Sequence, residues 1–176
     1  MKLYPLLLAI GLALFSYGET WPAKTPPEPW LGFPVWTFAN LDRSAFYKAM
    51  ATDNKDLVNA QLEVLKSDPD ERKSAFMGTL LMKKASFSGS PNTKLHYFKE
   101  GHVLLEEAIK KDPDNAEYRF LRLMIQEHAP GVLGYKKNIE NDSELVRKYY
   151  KTLPKDVQLA IVDYNKKSKV LKLDVS

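Results

Sequence analysis

Apolar positions recur at helical spacing along most of the chain. Leu41, Ala45, Phe46, Ala49 and Met50 fall on one helical face, and Leu57, Val58, Leu62 and Leu65 do the same over residues 54–66. After a corner, Met77, Leu80, Leu81 and Ala85 repeat the pattern, followed by Phe98, Gly101, Leu105, Ala108 and Ile109, and then by Leu121, Met124 and Ile125. SFSGSPNT, residues 86–93, is rich in Ser, Gly, Pro and Asn and reads as a loop. Residues 129–142, with Pro130, Gly131 and Gly134, interrupt the period again. Two further helices are predicted over about 143–152 and 155–172, the second placing Val157, Ala160, Ile161, Tyr164, Ser168 and Leu171 on one face. No convincing strand pattern occurs, so the predicted class is all-α.

Two of the corners are related. EVLKSDPDERKSAFMGTLLM, from Glu63, aligns without a gap onto EAIKKDPDNAEYRFLRLMIQ, from Glu107, an offset of 113 − 69 = 44 residues between the prolines. Phe76 falls on Phe120, Met77 on Leu121 and Leu81 on Ile125. A weaker third corner lies at Leu153-Pro154. Proline ends a helix by disfavouring the helical conformation just before it, and an Asp in front of it can cap the next helix. Asp68 with Glu71, and Asp114 with Glu117, have the spacing of a capping box. The expectation is an array of antiparallel helix-turn-helix units, each burying its apolar stripe against a neighbour.

At residues 101–113 the match goes beyond periodicity. Gly101, Leu105, Ala108 and Pro113 have the spacing of the small, large, small and proline positions in the second half of a tetratricopeptide (TPR) repeat, and DPDNAE resembles that family's link into the next repeat. The first half departs from the pattern through the loop at 86–93. The longer stretch EYRFLRLMIQEHAP, followed by LGYKKNIEND, is similar to exported TPR-like proteins of Bacteroidetes-type bacteria. The resemblance implies a TPR-like superhelix of about three helix pairs and carries no assigned catalytic residue. It also implies a peptide-binding groove lined by first helices, here including Arg119 and Arg122.

Ahead of the helical region, MKLYPLLLAIGLALFSYG has a positive start at Lys2 and an apolar run from Leu3 to Phe15, the layout of a cleavable signal peptide with cleavage after Gly18. That run is too short for the roughly 20 residues needed to span a bilayer. Residues 19–40 hold five prolines and all three tryptophans, without helical or strand period, and read as an extended lead segment. Its aromatic load, Trp21, Trp30, Trp36, Phe33 and Phe38, predicts that residues 30–38 dock across the first helices, with a solvated spacer as the alternative. The chain therefore divides into a signal peptide (1–18), the lead segment (19–40) and a TPR-like helical domain (41–176).

Composition narrows the function. The net charge of +4 is too small to imply nucleic acid, and the ten basic and six acidic residues of positions 136–176 are interleaved as on a solvated helix face. Without cysteine there is no disulfide, thiol nucleophile or thiolate metal site, which suits a secreted or periplasmic bacterial protein. In that setting the glycosylation sequon at Asn141 carries no weight.

Candidate chemistry is sparse. His102 and Glu106 lie one turn apart, but two groups do not make a metal site and His96 falls on another face. SFSGS lacks the context of a nucleophile elbow, and Gly78 and Gly101 read as points where helices touch rather than phosphate loops. No cofactor is expected. The polar group of most interest is Arg119, Arg122 and Gln126, set in an apolar helix ahead of a loop containing Tyr135, Asn138 and Asp142. These side chains either tie that loop down or face a groove and grip an acidic ligand group. The resulting expectation is a non-catalytic scaffold for a protein or peptide partner. The alternative is a small envelope hydrolase or glycan-processing accessory using Glu106, Glu107, His102 or His128.

Overall fold

A computed structural model of the chain describes residues 41–68 and 70–174, and these are all-α, with seven α-helices, two short 3-10 turns and no strand among them. The expected signal peptide, the lead segment and the docking of residues 30–38 lie outside the described residues. In chain order the helices are α1 (Arg43–Ala51), α2 (Lys55–Ser67), α3 (Lys73–Ser86), α4 (Pro91–Lys111), α5 (Ala116–His128), α6 (Ile139–Tyr149) and α7 (Lys155–Asn165). None of them is long and apolar enough to cross a membrane.

The starts of these helices follow local chemistry. Asp42, Asn54 and Asn115 each accept a backbone N–H of the first turn of α1, α2 and α5, and Pro91 occupies the first turn of α4, where its missing donor costs nothing. Neither expected capping box forms. Asp68 ends α2, and its carboxylate takes the N–H of Asp70, while Asp70 pairs with Arg72 at the head of α3. Asn115 displaces Asp114 as the cap of α5, and Glu117 turns inward to other partners.

From α1 to α6 each helix packs on the next, α3 also touches both α1 and α5, and α7 packs on α1. Some of the aligned positions share a similar environment. Phe76 and Phe120 are both fully buried, Leu81 and Ile125 are both core residues, and Asp68 and Asp112 both end a helix. Closest approach occurs between α3 and α4, where a Cβ on Gly101 would lie 2.3 Å from the carbonyl oxygen of Gly78, and one on Gly78 2.5 Å from that of Gly101. The two glycines are thus the helix contact their isolation from any Gly-rich run suggests.

The C-terminal region corrects two expectations. The interruption ends earlier than position 142, because α6 already begins at Ile139 and carries Asp142 in its first turn. The last helix stops at Asn165, not near 172. Beyond it the chain turns back, with the Asn165 amide bonded in both directions to the backbone of Leu173. Leu171 is fully buried all the same, from an irregular segment rather than a helix face. Helix α7 lies against α1, and Tyr164 meets Phe120 of α5 edge to face at 5.5 Å.

Candidate functional site

Arg119 and Arg122 lie one turn apart on α5, and both reach Asp142, which is completely buried at the start of α6. Arg122 grips this carboxylate with Nε and Nη2, both at 2.7 Å, in the parallel two-bond geometry that suits a planar guanidinium. Its Nη1 donates to Glu106 of α4 at 2.8 Å, and the other oxygen of Glu106 accepts from the Tyr135 hydroxyl at 2.7 Å. Arg119 donates to Asp142 at 3.1 Å and, through Nε and Nη2, to the carbonyl of Pro113 at 2.8 and 2.7 Å. One connected network thereby joins the α4–α5 corner, α4, α5, the segment before α6 and α6 itself.

Its electrostatics are self-contained. Burial alone would lower the pKa of Arg122, but the bonds and charges of Asp142 and Glu106 outweigh it and hold the guanidinium above its ordinary value. Burial, reinforced by the adjacent Glu106, pushes the Tyr135 phenol well up, so it stays a donor. Asp142 also sits in the first turn of a helix, where a negative charge is favoured.

Arg119 and Arg122 thus bond α5 to the first turn of α6, and Tyr135 bonds the segment ahead of α6 to α4. Arg122 is 3% exposed, which removes it from any groove surface, and its groove role is corrected accordingly. Gln126 and Asn138 do not join the network. Gln126 is buried with no partner for its Oε1 among the described residues, and Asn138 is exposed at the head of α6, making no capping bond.

Two further carboxylates, unremarked as ties in the sequence, play the same part. Glu117 accepts from Arg43 at 2.8 and 3.1 Å and from the Tyr47 hydroxyl at 3.1 Å, locking α5 to α1. Glu127, near the end of α5, accepts from Tyr164, Ser168 and the N–H of Lys169 at 2.5, 2.6 and 2.9 Å, holding the turn after α7. Burial works to raise the pKa of Glu127, and these three donors more than reverse it. The signal in the sequence was only that each acid sits in a helix with apolar neighbours. Their partners lie 74 and about 40 residues away, beyond the reach of spacing arguments.

The acid-base candidates fare differently. His102 packs against Phe98 and, with ring centroids 4.9 Å apart, against Tyr135, while both oxygens of Glu106 are engaged. His128 donates through Nδ1 to the carbonyl of Met124. Among the described residues no three His, Asp or Glu side chains converge to hold a metal ion. Compared with known protein families, curated proteins and solved structures, the chain matches none.

Proposed function

We propose that the chain is an exported, TPR-like scaffold that binds a protein or peptide partner without catalysis. The observation that supports this reading is that α7 packs on α1 and sets Tyr164 against Phe120 of α5, so this side of the helices already takes up one helical segment of the chain itself. A surface of that kind is suited to an amphipathic segment recognised by a few apolar anchors. The Glu106, Glu117, Glu127 and Asp142 carboxylates serve as internal struts, which favours a rigid binding frame over the hydrolase alternative.

Crosslinking and pull-down from the native cell envelope, followed by calorimetry with the purified candidate, tests the proposal. The expected result is saturable binding that changes when Tyr164→Ala loosens α7 and is retained in His102→Ala. Absence of binding by every crosslinked candidate would defeat it, as would a hydrolytic activity of the purified chain that disappears in His102→Ala.

A further inference from the structure

We infer that the corner between α3 and α4 forms a binding site for a small organic oxyanion, a phosphate or carboxylate attached to a flat apolar body. A recess of about 350 Å³, open to solvent and lined by exposed and half-buried residues, lies there between the start of α2, the end of α3 and the first two turns of α4. Its lining includes Lys55, Lys84, Phe87, Ser90, Thr93 and Tyr97, and no acidic side chain.

Charge decides the class of ligand. Among the described residues neither Lys55 nor Lys84 has a carboxylate within ion-pair distance, whereas the adjacent Lys83 is neutralised by Asp53 at 2.9 Å. Lys84 is held over the face of Tyr97, 4.7 Å from the ring centroid, which fixes its ammonium at the pocket without cancelling its charge. Two uncompensated cations in a lining free of acids repel metal ions and attract anions. Phe87 and Tyr97 supply the apolar walls that a bare inorganic ion would leave unused. The pocket also meets the head of α4, where Ser90 makes no capping bond, so the hydroxyl and the free first-turn N–H groups add donors of the same polarity. This site is separate from the face covered by α7 and stands or falls independently of the scaffold reading.

The test is amide NMR on the purified chain, titrated with phenyl phosphate, inorganic phosphate and phenol. Saturable shifts of the Asn92, Thr93 and Tyr97 amides are expected with phenyl phosphate, weaker ones with inorganic phosphate and none with phenol. Lys84→Gln and Lys55→Gln should each weaken phenyl phosphate by roughly tenfold, the size of one charge-assisted contact. Lys110→Gln, which removes the same charge at the far end of α4, should leave the affinity unchanged. Unmoved amides, equal shifts with phenol, or equal losses in Lys84→Gln and Lys110→Gln would overturn the inference. If inorganic phosphate binds as tightly as phenyl phosphate, the apolar body is refuted.

Discussion

Replacing Gly101 by Ala puts a methyl group where no room exists. Ordinary van der Waals contact for a Cβ begins near 3.4 Å, and this one would stand 2.3 Å from the Gly78 carbonyl oxygen, 2.9 Å from Met82 Cγ and 3.0 Å from Leu81 Cβ. Met82 Cγ can yield by a change of rotamer, but Leu81 Cβ and the Gly78 carbonyl are both fixed by the backbone of α3. The helices must therefore part by about 1 Å, loosening Leu81, Leu105 and Ala108 at the same interface. Overpacking of this kind costs about 1–3 kcal/mol, against a gain of about 0.5–1 kcal/mol from the better helix propensity of Ala. A net loss of about 1–2 kcal/mol is expected, or roughly 2–8 °C in Tm for a chain of this length. Thermal unfolding followed by circular dichroism reads it directly. Gly89→Ala is the control, since nothing lies within 4 Å of its added Cβ. It should change stability by no more than about 0.5 kcal/mol. Gly78→Ala should behave like Gly101→Ala, and the double variant should lose less than the sum of the two, because the helices have already separated. A Tm for Gly101→Ala equal to or above that of the parent would refute the contact.

Three more outcomes follow from the charge ties and the lead segment. Arg122→Ala strands the fully buried Asp142 with only the longer bond to Arg119, so chemical denaturation should show a loss of about 3–5 kcal/mol, whereas a change within about 0.5 kcal/mol would mean the ion pair is not buried in solution. The carboxyl of Glu127 has its pKa lowered on folding, so its stabilisation is present above the ordinary glutamate value of about 4.3 and is lost as pH falls through the depressed folded value. Glu127→Gln should flatten that part of the pH–stability curve relative to the parent, and superimposable acid slopes would contradict the assignment. All three tryptophans lie between positions 21 and 36, so intrinsic fluorescence reports on the lead segment alone. Emission that is blue-shifted and moves to the red in denaturant is expected for a docked segment, and a peak already matching free tryptophan, unmoved by denaturant, would show it undocked.

By itself the sequence determined the helical class, most helix positions and the touching glycines. Each of these rests on local periodicity or on a residue whose size leaves one role, as with Gly101, whereas the loop expected over 86–93 is shorter in the structure, because α4 already begins at Pro91. Charge partners were another matter. Nothing local distinguishes Glu117 as a capping residue from Glu117 as the counterion of Arg43, because the choice depends on α1 arriving from 74 residues away. The same holds for the end of α7: helical spacing carried on through Ser168 and Leu171, yet Glu127 and Arg147 hold that segment by its backbone and hydroxyl, and the tertiary bonds overrode the period. Arg122 shows the division most clearly. Its place in an apolar helix was legible and gave two readings, gripping a ligand or tying a loop; only the folded arrangement, which buries Asp142 opposite it, decided between them, since a buried carboxylate needs a partner more than an exposed groove does.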